Sequence, residues 1–170
     1  MRYKIGISGQ SLSFASSVLE HFIRHRQTRF WRAEAGGLLF AKVSPEVIDV
    51  VTATGPRSTD GRSRWRYSPD REAEQREIDL FHAQGQHLVG FWHTHPEMFP
   101  SPSKMDSDSI TESFRMSKHQ LNGFVQVIVG QHQFPPGLYV GVGDGSQVYR
   151  LSLDHECRIP TVSPGRPELP

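Results

Sequence analysis

The chain has 170 residues, enough for one domain with a buried core and too few for two ordinary ones. Its 19 basic and 18 acidic residues leave a formal charge of +1, which argues against a general nucleic-acid binder, whose composition carries a basic excess. The single cysteine, Cys157, excludes an internal disulfide framework and a cysteine-rich zinc finger, and it fits a reducing compartment. No apolar run approaches the roughly 20 residues that cross a bilayer, and Met1–Ile7 lacks the apolar stretch of a signal peptide. The chain therefore reads as soluble and cytoplasmic, with no membrane partner.

In chain order, Tyr3, Ile5 and Ile7 alternate with polar residues and predict an edge strand. Leu12, Ala15, Val18, Leu19, Phe22 and Ile23 recur at helical spacing and predict an amphipathic helix over 11–27, with His21 and His25 on its exposed side. Gly36-Gly37-Leu38-Leu39-Phe40 reads as a buried strand, paired through the Ser44-Pro45 turn with a second strand over 47–54. Residues 55–67 are polar, with Gly, Pro, Ser and four arginines, and read as a loop. Ser68-Pro69-Asp70 predicts a helix start with Ser68 as its cap, and Gly85 closes that helix. A strand over 88–93 follows, then a polar loop, and a third helix over 103–116 that buries Ile110 and Phe114. Phe124–Val129 is an apolar strand, and 138–140 with 148–151 forms a hairpin about Asp144-Gly145. The domain is expected to end near residue 157, with residues 158–170, rich in proline, as a disordered or extended tail. The class is mixed α/β: one sheet with helices packed on it.

The chemistry lies in His93-Thr94-His95-Pro96, followed by Ser103 and Asp106. Two histidines separated by one residue at a strand end point to the same side and can meet one metal ion. Asp106, in the first turn of the next helix, can reach back as a third ligand, which leaves a fourth position open as in a catalytic zinc site. Ser103-x-x-Asp106 is equally a helix capping box, and the two roles are compatible, since a capped start holds Asp106 rigidly. A hydrolytic zinc site also needs a carboxylate to move the proton. Glu34, ahead of the Gly36-Gly37 strand, is the candidate; read by itself it is an ordinary surface glutamate.

Glu34 with its Gly-Gly-Leu-Leu strand, a distant His-Thr-His-Pro, then Ser103 and Asp106 at their spacing, together resemble the JAMM signature of the JAB/MPN metallopeptidases. The resemblance spans about Tyr3 to Leu151. It implies a curved mixed β-sheet flanked by helices, of the cytidine-deaminase-like kind. It further implies one zinc ion on His93, His95 and Asp106, Glu34 as general acid/base, and Ser103 stabilising the oxyanion. Deaminase chemistry itself is excluded, because the P-C-x-x-C element is absent and the chain has a single cysteine. The implied activity is isopeptide or peptide cleavage after the tail of a ubiquitin-like protein.

The sequence around Ala53-Thr54-Gly55-Pro56 and Gly90–Glu97 resembles bacterial members encoded beside E1-like and E2-like enzymes in antiphage operons. Two settings follow: an operon that conjugates a ubiquitin-like modifier to phage structural proteins, which the reading favours, and one that conjugates a cyclic-nucleotide synthase. Cleavage of a sulfur-carrier tail, or a metal-free scaffold of the same fold, are the alternatives. Arg57, Arg62, Arg64 and Arg66, interleaved with Trp65 and Tyr67, are candidate substrate-docking residues on a mobile channel wall, for an acidic partner and not for nucleic acid.

Overall fold

The computed structural model describes residues 1–154. The expected domain end near 157, Cys157 and the 158–170 tail lie outside the described residues.

A mixed sheet of nine strands forms the body, with a separate two-stranded hairpin beside it. Its centre is β3 (Gly36–Val43) between β4 (Val47–Ala53) and β7 (His87–Thr94), both antiparallel to it. Beyond β7 lie β8 (Phe124–Val129), parallel to it, then β9 (Leu138–Gly143) and β10 (Val148–Arg150). Beyond β4 lie β2 (Ser11–Phe14), parallel to it, then β1 (Arg2–Lys4) and β11 (Ser152–Leu153).

Strand alternation sorts side chains between the two faces. Leu39 and Ala41 join Val18 and Phe22 of α1 (Ser16–His25) in the main core. On the other face Phe40 stacks on Phe81 of α2 (Arg71–Ala83), ring centroids 4.5 Å apart. Phe124 meets Phe114 of α3 (Lys104–Met116) on that face at 5.3 Å. The sheet thus carries α1 on one side and α2 and α3 on the other.

Gly90 and Gly37 are among the places that need glycine for want of space. A Cβ on Gly90 would lie 1.9 Å from the Val125 carbonyl oxygen of β8, and one on Gly37 would lie 2.0 Å from that of Thr54. Both backbones come close because nothing projects between them.

Five expectations about the elements are corrected. The first strand ends at Lys4 and is not an edge, since β2 and β11 flank it, and Ile7 is fully exposed. Residues 11–14 form a strand, not the start of a helix: Leu12 and Phe14 are buried by pairing with β4, a long-range ladder that overrides the local spacing. The segment 55–67 is not all loop, because β5 (Gly61–Ser63) and β6 (Arg66–Ser68) pair as a hairpin. That hairpin takes up Ser68, so Asp70 caps α2, its carboxylate accepting from the Glu72 and Ala73 amides at 3.1 Å each.

His21 and His25 are also not on an exposed side. Together with Val18 and Phe22 they complete one helical stripe, and their rings lie 5.1 and 5.8 Å from Trp92. Among the described residues no helix is long and apolar enough to cross a membrane.

Candidate metal centre and its cleft

The His-Thr-His segment ends β7 where the edges of two other strands meet it. His93 pairs with Gly36 of β3 on one side and Ile128 of β8 on the other. Alternation sends His93 and His95 toward α3 and turns Thr94 to the opposite side. There Thr94 is fully buried. Its hydroxyl accepts from the Ala35 amide at 3.0 Å and donates to Gln27 Oε1 at 3.1 Å, while its own amide donates to the Ala35 carbonyl at 2.8 Å. These bonds fix the strand between the two histidines to the residue next to Glu34.

Asp106 arrives from the N-terminus of α3. The Ser103 amide and hydroxyl donate to Asp106 Oδ2 at 2.7 and 2.6 Å, and the Asp106 amide donates back to Ser103 Oγ at 3.2 Å, forming a full capping box. Gln126 of β8 donates to the Asp106 carbonyl at 3.0 Å and pins the helix start to the sheet. The same carboxylate faces both imidazoles: Oδ1 is 3.2 Å from His93 Nε2, and Oδ2 is 3.4 Å from His95 Nε2. Capping and metal-facing geometry therefore coexist in one side chain.

The two Nε2 atoms lie 3.1 Å apart. Ligand atoms at ~2.0–2.1 Å from a tetrahedral zinc stand about 3.3–3.4 Å from each other; here Asp106 turns a different oxygen to each imidazole, and one ligand atom from each of the three residues lies within 4.8 Å of the other two, close enough to share one ion. Among the described residues this is the only group of three or more His, Cys, Asp or Glu side chains so arranged. The donor set, two imidazoles and a carboxylate, is one that zinc accepts. Burial works to raise the Asp106 carboxyl, but hydrogen bonds from His93, His95 and Ser103 hold it far below the usual carboxylate range. Burial works against protonation of His95, and the Asp106 hydrogen bond and charge outweigh it and push the imidazole up. Glu34 is raised, chiefly by burial, with His93 and His95 pulling against that and Asp106 adding to it.

Glu34, His93, His95, Ser103 and Asp106 all line one cleft of about 740 Å³, walled by Arg64, Trp65, Arg66 and Tyr67 of the hairpin and by Met105 of α3. The four arginines predicted to dock substrate divide here. Arg64 and Arg66 line the cleft, whereas Arg57 and Arg62 do not. Arg57 is turned inward: its Nε donates to Glu77 Oε1 at 2.9 Å, its Nη2 bonds the other Glu77 oxygen, and Asp60 lies 3.7 Å away. Buried Asp60 accepts from the Arg57 and Asp70 amides and from the Tyr67 hydroxyl. The wall expected to be mobile is thus anchored to α2 at its base. Arg62 donates to the Glu34 and Ala33 carbonyls at 2.7 and 3.4 Å and holds the Glu34 backbone from behind.

Sequence reasoning misses Gln27 and Gln126. Gln126 leaves a signal, as the lone polar residue in the run Phe-Val-Gln-Val-Ile-Val. Gln27 leaves none. It is fully buried, and its amide donates to the carbonyls of Arg32 and Arg64 at 3.2 and 3.0 Å.

A curved mixed sheet between helices, with paired histidines at a strand end and an aspartate capping the next helix, defines a JAB-type domain. The family model of the prokaryotic homologs of the JAB domain matches residues 15–139, and the chain belongs to that family. It is 37% identical over 143 residues to a Pseudomonas aeruginosa protein (strain BWHPSA011 / Pa011) named CD-NTase/cGAS isopeptidase, covering 79% of this chain and 87% of that one. An Escherichia coli protein (strain TW11681) with the same name is 32% identical over 97 residues, 55% of this chain and 62% of the relative. Among solved structures, a Desulfitobacterium hafniense protein superposes with a TM-score of 0.59 at 18% identity, covering 82% of this chain and 88% of that one. A Salinibacter ruber protein does so at 0.51 and 22%, covering 89% and 94%. These two likenesses concern the fold alone.

Proposed function

We propose that the protein is a zinc-dependent isopeptidase that cuts after the C-terminal tail joining a cyclic-nucleotide synthase to its conjugation target. The observation that carries this reading is the grouping of His93, His95 and Asp106, whose ligand atoms lie within 4.8 Å of one another, in a cleft that Glu34 also lines. The relatives' name favours the synthase as substrate over a ubiquitin-like modifier of phage structural proteins. The intact ligand set argues against a metal-free scaffold.

His93, His95 and Asp106 would hold the zinc, which would supply Lewis-acid chemistry and an activated water near neutral pH. The chain's own groups supply the rest. Glu34, raised by burial, takes the proton from the attacking water and returns it to the leaving lysine amine. Ser103, at the cleft wall, turns its hydroxyl from Asp106 to the developing oxyanion. The hairpin lines one side of the cleft, and an extended tail is the substrate form proposed to enter it.

The test is cleavage of a synthase tail joined to a lysine side chain, read by mass spectrometry. The reading predicts scission at the isopeptide bond, lost on chelation and restored by zinc. Cleavage that survives exhaustive chelation, or that falls at scattered sites within unrelated unfolded proteins, would contradict it.

A further inference from the structure

Continuing outward from the hairpin wall of the cleft, two segments form one exposed surface. The last turn of α1 and its connection to β3 carry four arginines, Arg24, Arg26, Arg29 and Arg32, and the hairpin adds Arg62, Arg64 and Arg66, against a single acid, Glu34. With a formal charge of only +1 overall, the rest of the chain is net acidic, so this is a concentrated patch and not general basicity. Phe30, Trp31 and Trp65 stand in it at 75%, 62% and 72% exposure.

The patch is built, not a chance meeting of loops. Buried Gln27 grips the carbonyls of both segments, at Arg32 and Arg64. Arg64 bonds the Phe30 carbonyl, and Arg32 donates to the carbonyls of Arg24 and Arg26 at 3.0 and 2.8 Å. Those partners are carbonyl oxygens, which leave the guanidinium charges uncompensated. Exposed aromatics among fixed arginines have the composition of an interface centre.

We infer that this surface docks an acidic, apolar-centred face of the protein partner whose bond is presented to the cleft. The inference rests on the isopeptidase reading for the partner's role, not for the binding itself. The ring geometry favours protein over single-stranded nucleic acid. Arg29 covers one face of Trp31 at 5.2 Å, Arg64 covers one face of Trp65 at 4.9 Å, and Phe30 stands at 86° to Trp31. A base-stacking platform needs successive open faces, whereas charged aromatic knobs suit an acidic protein surface.

The test uses the full chain and a labelled short peptide of glutamates interspersed with leucines, read by fluorescence anisotropy at low salt. A lysine-for-glutamate peptide and an oligothymidylate serve as comparisons. The wild type should bind the acidic peptide in a salt-sensitive way and ignore its lysine counterpart. The double variant Arg29→Glu, Trp31→Ala changes two exposed side chains and should weaken that binding about 10-fold. It should also raise KM for the whole conjugate, with hydrolysis of a short tail peptide unchanged. Equal binding by variant and wild type would overturn the inference. So would oligothymidylate binding more tightly than the acidic peptide. Binding is measured without turnover, so failure to hydrolyse any tail would sink the isopeptidase reading and leave this result standing.

Discussion

Thr94 Oγ1 donates to Gln27 Oε1 at 3.1 Å, tying the residue between the two metal-facing histidines to the end of α1. Gln27 is fully buried and its amide holds two further carbonyls, so no water replaces it cheaply. Gln27→Leu keeps the volume but leaves three polar groups unpaired. It should destabilise the fold by on the order of 3 kcal/mol, at roughly 1–3 kcal/mol for each orphaned group with some relaxation. Gln27→Glu keeps the acceptor for Thr94 and loses both donors, so it should fare little better. Urea unfolding measures this, and an unchanged midpoint for Gln27→Leu would mean that the three groups find other partners.

Gly90 shows how closely β7 and β8 approach beneath the histidines. Gly90→Ala places a methyl 1.9 Å from the Val125 carbonyl oxygen, which belongs to backbone and cannot swing away. The strands must part, and a loss of about 4 kcal/mol or more is expected, with little folded protein recovered. Gly85→Ala, at a position with φ +74° and open space around it, should cost only about 1 kcal/mol. Similar thermal midpoints for the two variants would show that the strands tolerate the separation.

His25 supplies a pH signature. Burial, foremost, with the charges of His21, Arg62, Arg24 and Arg32, lowers its imidazole from 6.5 to about 4. Between those values the unfolded chain binds the proton and the folded chain does not. Stability from this source is therefore present above pH 6.5 and lost as pH falls toward 4. His25→Phe, compared with wild type in urea at pH 5 and pH 7.5 with chelator throughout, should show a smaller drop on acidification. An equal drop in both proteins would mean that His25 protonates freely in the folded state.

What the sequence reveals follows the range of the interactions. His93, His95, Ser103 and Asp106 sit within 14 residues of one another, so strand alternation and a capping box suffice to bring them together. The buried strands β3 and β8 are legible as apolar runs. Residues 11–14 are not, because Leu12 also fits the helical spacing of the residues that follow, and only the distant β4 decides the matter. The β5–β6 hairpin hides in a polar stretch without alternation, and its anchor is the ion-pair fork from Arg57 to Glu77, 20 residues on. Gln27 is invisible for the same reason, since its partners lie at Arg32, Arg64 and Thr94. The exposure of His21 and His25 is misjudged because a histidine on an apolar stripe is compatible with either face until Trp92 is placed.

Ser103 and Asp106 share a hydrogen bond but are assigned different tasks. Ser103→Ala removes the hydroxyl oxygen that accepts from the Asp106 amide, along with its donation to the Asp106 carboxylate, and should cost the helix about 1 kcal/mol, with zinc retained and turnover reduced on the order of 10²-fold. Asp106→Ala removes a proposed ligand and should release the metal. Metal analysis of the two purified variants separates the roles. Equal zinc loss would leave Ser103 with a purely structural part.

The central claim is a zinc centre served by a separate proton carrier, and Glu34→Gln addresses both halves at once. Zinc per chain and turnover of the tail–lysine conjugate are measured on one preparation of wild type and of this variant. The account predicts about one zinc in each, since Glu34 is not among the ligands, and a fall in turnover on the order of 10²–10⁴ for the variant. Loss of zinc from Glu34→Gln, or near-normal turnover with zinc in place, would contradict it.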